Sequence, residues 1–265
     1  MYSKWIFSLK GDGRHKARLV AKGCSQRPGF DYSETFTPVV KLESVRSALA
    51  LANEHELIVH QKDAKTTFLN GQLEEGIFMK LPVNENGQSQ IVRLNKSLYG
   101  LKQASRSWNK RFNDAMAELG FVPLKNDCCI YKSKSKGIIL ILYVNDILLI
   151  AKNIDDISWI KEKLGRLFQM KDLSEVKHFL GMEINRDFEN QIIEISQKKY
   201  VERLLERYGM AECKPVGTPL DSSTKWSKSE GELTDQPYRE LIGCLQYLSL
   251  TSRPDICAAV NALSK

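Results

Sequence analysis

Two aspartates in this sequence stand where carboxylates could bind a metal ion and act on phosphate groups. Asp63 follows a strand-like segment at residues 58–62, and Asp146 lies at the polar tip of a very apolar segment. A carboxylate at a strand end is usually a solvated cap, but one at the tip of a buried hairpin invites a functional explanation. Together the two would offer Mg²⁺ hard oxygen ligands and leave positions for phosphate oxygens. Spacing alone leaves both interpretations open.

The segments around these aspartates predict the elements that hold them. Residues 137–151 are apolar except at the tip, which is the pattern of two buried strands joined by a tight turn. An amphipathic helix is predicted at residues 105–119, where it ends at Gly120. Another helix is predicted at residues 155–168, capped by Asn153 or Asp155. The apolar hairpin is therefore the element that presents Asp146.

Further strands and helices follow one another without regular alternation. Strands are predicted at residues 5–9, 14–23, 91–94, 176–184 and 192–196, and helices at residues 43–52, 198–208, 238–250 and 255–263. Turn signals lie at residues 11–13 and 84–89, and the polar stretch 215–234 reads as a linker. This mixture favours an α+β architecture over a doubly wound sheet.

Composition limits the classes of partner. The net charge is +7 over 265 residues. It fits a solvated, slightly basic surface, or a surface whose lysines and arginines neutralise the phosphates of a polyanionic partner. The six cysteines show no C-x-x-C spacing, so we predict reduced thiols and no cysteine metal site. No apolar segment reaches the roughly 20 residues that span a bilayer, and the N-terminus lacks a signal-peptide core. We expect no membrane partner and no secretion.

Long motifs run through nearly the whole chain. They are KARLVAKG (16–23), DYSETFTPVV (31–40), HQKDAKTTFLNG (60–71), SLYGLKQASRSWN (97–109), YVND (143–146), FLGMEI (179–184) and SRPDI (252–256). In content and order they resemble the reverse transcriptases of copia-type retrotransposons. The resemblance implies a right-hand polymerase fold with fingers, palm and thumb subdomains. It also implies an RNA-directed DNA polymerase that acts on dNTPs and an RNA or DNA template–primer duplex, in the cytoplasm, a virus-like particle or the nucleus.

The resemblance implies a division of the chain into subdomains. It predicts N-terminally truncated fingers at 1–50, palm at 51–74, a return to the fingers at 75–96, palm at 97–196, thumb and linker at 197–235, and the start of a connection region at 236–265. Within the palm, the catalytic hairpin is expected at residues 138–151 and the primer grip at residues 176–196. We expect RNase H, protease and integrase sequences to be absent.

The resemblance assigns the catalytic centre to the two aspartates and their neighbours. Asp63, Asp146 and the backbone carbonyl of Ala64 match ligands of two catalytic ions, expected to be Mg²⁺ with Mn²⁺ as a substitute. The family's hairpin tip reads Tyr-x-Asp-Asp, whereas this chain has Asn145 at the first of the two aspartate positions. Asparagine is neutral and offers only a carbonyl oxygen. We therefore predict weak or absent polymerase activity, and a remnant that retains only the fold and nucleic-acid binding is the alternative.

Four residues match contacts to the incoming dNTP. Lys16, Arg18 and Lys22 alternate along the second predicted strand, so they would share one face and neutralise the triphosphate. A solvated strand face is the alternative for all three, and the resemblance favours function most for Arg18. Phe68 matches the steric gate that crowds a ribonucleotide 2′-OH. Its alternative is a core phenylalanine.

A further set of residues matches contacts to the template and primer. Gly100 would lie under the templating base pair, where the missing Cβ permits close backbone approach. Lys102 would touch a template phosphate, although a surface lysine is nearly as good an explanation. The primer grip would be formed by Phe179, Leu180, Gly181 and Met182. Hydrophobic packing is the alternative for this segment, and both explanations can hold together.

Overall fold

A computed structural model of the chain describes residues 1–9, 11, 13–221 and 237–265. The chain forms two compact units, one composed of Met1–Lys41 and Leu57–Glu175, the other of Leu42–Glu56 and Val176–Lys265. Strands and helices are mixed in both units, which confirms the α+β class. The predicted linker at residues 215–234 lies largely outside the described residues.

The first unit is built on a six-stranded antiparallel sheet with the strand order β10-β3-β9-β8-β7-β6. Its strands are β3 (Ile58–Ala64), β6 (Phe121–Pro123), β7 (Ile130–Ser133), β8 (Ile139–Tyr143), β9 (Asp146–Ala151) and β10 (Met170–Glu175). The central strands β8 and β9 are almost wholly buried, as their continuous apolar sequence predicts. The catalytic hairpin expected from the sequence is therefore at the centre of the sheet.

Two amphipathic helices pack on one face of this sheet. They are α2 (Ala104–Glu118) and α3 (Ile154–Leu167). Trp108 and Phe112 of α2 and Leu164 of α3 share a buried cluster with Leu140 and Leu149 of the sheet. The side chain of Asn153 caps α3 by accepting a hydrogen bond from the backbone N–H of Asp156. Both helices were predicted within one residue of their observed ends.

Two short hairpins complete the first unit. One pairs β1 (Ser3–Leu9) with β2 (His15–Ala21), and the other pairs β4 (Phe78–Lys80) with β5 (Ile91–Arg93). Short 3-10 helices lie at Gly23–Ser25 and Thr67–Asn70. The β1–β2 hairpin confirms the sequence prediction. Of the turn signal predicted at residues 11–13, Asp12 lies outside the described residues, as does Lys10 before it.

The second unit combines a three-stranded antiparallel sheet with four α-helices and one 3-10 helix among the described residues. The elements are α1 (Leu42–Glu54), β11 (His178–Phe179), β12 (Met182–Asp187), β13 (Ile192–Ser196), α4 (Lys198–Arg207), α5 (Tyr238–Thr251), a 3-10 helix (Pro254–Ile256) and α6 (Cys257–Leu263). The single strand predicted at residues 176–184 is wrong. Leu180 and Gly181 both adopt positive φ, which turns the chain back on itself between β11 and β12.

Several details differ from the sequence predictions. Strands β4, β6 and β7 were missed because they are short, and β10 was missed because its mostly polar, exposed sequence shows no clear alternation. Asp63 lies inside β3 rather than after it. The predicted fingers–palm boundary at residue 50 falls within α1, and the predicted palm at 97–196 extends across both compact units. The subdomain boundaries stay predictions.

Two expectations concern the chain as a whole. All six cysteines are free thiols, as predicted. In the described ranges, none of the helices combines the length and the apolar character needed to cross a bilayer.

Candidate active site

The two aspartates singled out in the sequence lie directly opposite each other on neighbouring strands. Asp63 of β3 pairs with Asp146, the first residue of β9. Opposite residues of an antiparallel pair have Cβ atoms roughly 4.5–5.5 Å apart and project to the same face. Ala64 and Ile147, which follow them, contribute to the helix-covered core, so the carboxylates project from the opposite face. Both are half-buried.

A strained two-residue turn presents Asp146. Tyr143 pairs with Asp146, so Val144 and Asn145 form the tip of the β8–β9 hairpin. Val144 has a φ of +53°, a left-handed conformation that costs a β-branched residue about 1–3 kcal/mol. The indole N–H of Trp108 donates to the Val144 carbonyl at 2.7 Å, and the N–H of Ala64 donates to the Asn145 carbonyl at 2.8 Å. These bonds hold the turn in its strained form.

Two side-chain amides occupy one oxygen of each carboxylate. Asn145 Nδ2 donates to Asp63 Oδ1 at 2.5 Å, and Gln61 Nε2 donates to Asp146 Oδ1 at 3.3 Å. The sequence interpretation missed Gln61. Its position two residues before Asp63 was the available signal, because alternate residues of a strand share a face. The amide of Asn145 therefore acts here as a hydrogen-bond donor to the acid that it lies beside.

The environment of Asp146 opposes ionisation. Burial raises the pKa of its carboxyl, and the negative charge of Asp63 raises it further, while the hydrogen bond from Gln61 partly offsets both effects. A divalent cation between the two carboxylates would remove the repulsion between them.

The donor set fits a divalent cation only in part. Asp63 and Asp146 supply carboxylate oxygens, and the carbonyl of Ala64 already accepts a hydrogen bond from Thr67 Oγ1 at 2.9 Å. In the part of the chain that the structure describes, no group of three or more His, Cys, Asp or Glu could hold a metal ion. A carboxylate at residue 145 would lie beside Asp63, because the Asn145 amide is within hydrogen-bond distance of that acid.

The predicted dNTP contacts meet around a tyrosine that the sequence interpretation passed over. The Arg18 guanidinium lies 5.7 Å from the centre of the Tyr99 ring, and the Phe68 ring packs edge-on against it at 4.9 Å. Lys16 lies on the same face of β2 as Arg18, whereas Lys22 lies one residue beyond the end of the strand. Tyr99 therefore connects Arg18 with Phe68.

Gly100 makes its close backbone approach to another part of the protein. Its φ is +91°, and a Cβ there would lie 2.1 Å from the carbonyl oxygen of Ala21 at the end of β2. A Cβ on Gly23 would in turn lie 2.0 Å from the Gly100 carbonyl oxygen. Packing against β2 thus explains why residue 100 is a glycine, which the sequence did not reveal. Lys102 Nζ donates to the hydroxyl of Tyr32 at 3.1 Å.

The segment matched to the primer grip divides into buried and exposed parts. Phe179 and Met182 are 1% and 0% exposed, so their side chains belong to the core of the second unit. Leu180 and Gly181 form the turn between them, and Gly181 is exposed. Only this turn is accessible to a ligand.

Comparison with known proteins assigns the family. The family described as reverse transcriptase (RNA-dependent DNA polymerase) matches residues 1–222. The chain belongs to the reverse transcriptase family. The chain is 42% identical over 281 residues to the Pol polyprotein of the tobacco transposon TNT 1-94, with 99% of this chain and 21% of that protein covered. It is 39% identical over 274 residues to the Pol polyprotein of the Arabidopsis transposon RE1, with 99% of this chain and 18% of that protein covered.

These relatives place the chain among copia-type reverse transcriptases, which have the right-hand polymerase fold. It spans about one fifth of the length of the Pol polyproteins that it matches. Among solved structures, a foamy viral protease–reverse transcriptase in complex with double-stranded DNA aligns with a TM-score of 0.44 and 12% identity, covering 94% of this chain and 36% of that one. The apo telomerase of Candida tropicalis aligns with a TM-score of 0.39 and 12% identity, covering 74% of this chain and 55% of that one.

Trp108 combines two roles in this member of the reverse transcriptase family. The sequence predicted a core residue, and its ring is indeed 2% exposed, but its N–H also holds the turn between β8 and β9. We expect Trp108→Phe to lower the free energy of unfolding by about 1–3 kcal/mol, because the Val144 carbonyl loses its donor in a partly buried site. Urea unfolding measures the loss. Trp159→Phe is the control, because that half-exposed indole has access to water, and an equal loss in both variants would contradict the assignment.

The pKa of Asp146 predicts a pH-dependent stability. Because its folded-state pKa is raised above the unfolded value, its contribution to stability is complete at low pH and is lost as the pH rises through the folded-state pKa. Asp146→Asn should therefore gain stability relative to the unaltered chain as the pH rises from about 3.5 to 7. Unfolding free energies across this range test the trend. Asp155→Asn, at an exposed carboxylate, is the control, and a pH-independent gain for Asp146→Asn would contradict it.

Proposed function

We propose that this chain is the RNA-directed DNA polymerase domain of a copia-type Pol polyprotein and that Asn145 impairs its activity. The observation that carries the proposal is the pairing of Asp63 with Asp146 across β3 and β9. Two carboxylates projecting from one face suit a divalent cation that binds phosphate oxygens. In the reaction the primer 3′-OH would attack the α-phosphorus of a dNTP paired with an RNA or DNA template, which forms a phosphodiester bond and releases pyrophosphate.

Each group near the acid pair has a role in this proposal. Asp63, Asp146 and the carbonyl of Ala64 would hold Mg²⁺, or Mn²⁺ in its place. The metal would neutralise charge on the phosphates and activate the primer 3′-OH. Phe68, whose ring packs edge-on against Tyr99, would exclude a ribonucleotide 2′-OH.

Cationic and backbone groups would bind the substrates. Arg18, Lys16 and Lys22 would neutralise the triphosphate, with Arg18 held over the Tyr99 ring. Gly100 and Lys102 would lie along the template. The Leu180–Gly181 turn, framed by the buried Phe179 and Met182, would contact the primer.

A second candidate function is a remnant that binds nucleic acid without catalysis. The bond from Asn145 Nδ2 to Asp63 Oδ1 favours it, because the amide satisfies that carboxylate without a cation. The net charge of +7 suits a phosphate-rich partner in either case.

A primer–template assay separates the two functions. Fluorescence anisotropy with a labelled primer on a poly(rA) template measures binding and its salt dependence, and dNTP incorporation with Mg²⁺ or Mn²⁺ measures catalysis. Weak metal-dependent incorporation supports the polymerase, and salt-sensitive binding without incorporation supports the remnant. Loss of both in a folded protein would overturn both proposals.

A further inference from the structure

The turn between β11 and β12 has a backbone conformation that its sequence does not favour. Phe179 pairs with Met182, which leaves Leu180 and Gly181 as a two-residue loop. Their φ values are +51° and +76°, and two-residue hairpins with positive φ at both positions prefer Asn-Gly or Gly-Gly. A leucine in the left-handed region is strained. The turn therefore needs support from outside the hairpin.

Tyr247 of α5 supplies this support. Its hydroxyl donates to the Leu180 carbonyl at 2.6 Å across a sequence separation of 67 residues. A Cβ added to Gly181 would lie 2.4 Å from the same hydroxyl oxygen, so the tyrosine fits against this glycine. The ring of Tyr200 packs edge-on against Tyr247 with centroids 5.3 Å apart. Tyr247 is thus held between α4 and the turn.

Helix α5 is itself fixed within the second unit. Ile242 and Leu248 are buried, and the hydroxyl of Ser252, just beyond the helix, donates to the side chain of Gln197 at 2.8 Å. Gln197 is the N-cap residue of α4. The tyrosine hydroxyl therefore has a defined position relative to β11 and β12.

This hydrogen bond fixes the orientation of one peptide group. The C=O and N–H of a trans peptide point in opposite directions in one plane. Because the Leu180 carbonyl is directed at Tyr247, the N–H of Gly181 is directed away from it. Gly181 is exposed, so this N–H is presented at the surface as a donor. A phosphate or sugar oxygen of a nucleic acid is a suitable acceptor for such a group.

We propose that Tyr247 is a positioning residue that aims the Gly181 N–H at the primer backbone, an inference that rests on the proposed polymerase function. Tyr247 lies beyond residue 222, where the match to the reverse transcriptase family ends. The segment after the matched region thus acts on the turn through one hydroxyl.

Tyr247→Phe removes the hydroxyl and keeps the ring. We expect the Kd for a primer–template duplex to rise roughly three- to tenfold, because a bond that orients the donor is lost. Affinity for the single-stranded template should stay unchanged, since the effect requires the primer. Tyr200→Phe is the matched control, because it removes a hydroxyl from the neighbouring ring without touching the turn, and its Kd should equal that of the unaltered chain.

A second variant tests the same contact from the other side. Gly181→Ala places a methyl group against the Tyr247 oxygen, whereas the ring carbon behind that oxygen is 3.6 Å away. The double variant Gly181→Ala/Tyr247→Phe should therefore bind no more weakly than Gly181→Ala alone. Additive losses would indicate independent structural damage and overturn the proposal.

The outcomes separate this proposal from the proposed function. Circular dichroism and unfolding temperatures establish that each variant is folded. An unaltered chain that binds no primer–template overturns the polymerase and this proposal together. An unaltered chain that binds, with Tyr247→Phe binding equally well, overturns the role of Tyr247 alone.

Discussion

Primer extension by Asn145→Asp is expected to exceed that of the unaltered chain by about a hundredfold or more. Asn145 now donates its amide to Asp63, so it brings neither negative charge nor a strong ligand to the acid pair. An aspartate would add a third carboxylate beside Asp63 and Asp146. At about 1.4 kcal/mol per tenfold in rate, a hundredfold requires only about 2.7 kcal/mol of additional transition-state stabilisation. Metal-ion catalysis commonly supplies several kcal/mol.

Two control variants isolate the carboxylate as the cause of this gain. Asn145→Ala removes the amide without adding a ligand, so its extension rate should stay at the level of the unaltered chain. Asn145→Asp/Asp63→Asn should lose the gain, because one acid is again neutral. Equal, robust extension by the unaltered chain and Asn145→Asp would refute the assignment of Asn145 as the impairing residue.

The unfolding temperature in the presence of Mg²⁺ tests the role of Asn145 without nucleotides. In Asn145→Asp an amide–carboxylate hydrogen bond becomes a contact between like charges, which favours unfolding in the absence of a divalent ion. Mg²⁺ should therefore raise the unfolding temperature of this variant more than that of the unaltered chain, because binding to the folded state stabilises it. The shift separates loss of metal binding from loss of a later catalytic step.

Gly100→Ala is expected to lower the free energy of unfolding more than Trp108→Phe does. The methyl group would lie 2.1 Å from the Ala21 carbonyl oxygen and 2.6 Å from Val20 Cγ1, at a residue whose φ is +91°. Backbone strain costs about 1–3 kcal/mol, and overpacking typically costs another 1–3 kcal/mol. Together they predict a loss of roughly 2–6 kcal/mol, measured by urea unfolding.

Gly120→Ala is the matched control for this substitution. Gly120 ends α2 with a φ of +78°, close to that of Gly100, but nothing lies within 4 Å of its added Cβ. Only the strain contribution should remain, so its loss should be about 1–3 kcal/mol. Similar losses at the two glycines would show that steric contact with β2 contributes nothing.

The hairpin that carries Asp146 could be predicted from sequence because local pattern was enough, whereas the pairing of Asp146 with Asp63 was expected from the family resemblance. The continuous apolar character of residues 137–151 specified a buried hairpin, and its polar residues marked the tip that carries Asp146. The helices α2 and α3 followed from the spacing of their buried residues and from their caps. Each of these features is encoded within one short stretch of chain.

The groups that hold the site were not predictable in this way. Trp108 meets the Val144 carbonyl from 36 positions away, and Tyr247 meets the Leu180 carbonyl from 67. Neither contact leaves a periodic signal, because one hydrogen-bond donor on an otherwise apolar ring does not change the pattern of its helix. For Phe179 and Met182 the sequence likewise allowed either hydrophobic packing or contact with the primer. The structure shows that both side chains are buried on either side of a turn.

The contact between Gly23, Gly100 and the Ala21 carbonyl joins main chain to main chain, and the side chains of Val20 and Gln26 lie beside it. Within the β1–β2 hairpin its geometry therefore constrains Val20 more than the residues whose side chains lie away from Gly100. Substitutions can accumulate along those strands in related copies while Arg18 keeps its place over Tyr99, provided that both glycines persist. The hairpin can diverge in sequence and still be inherited in the same orientation.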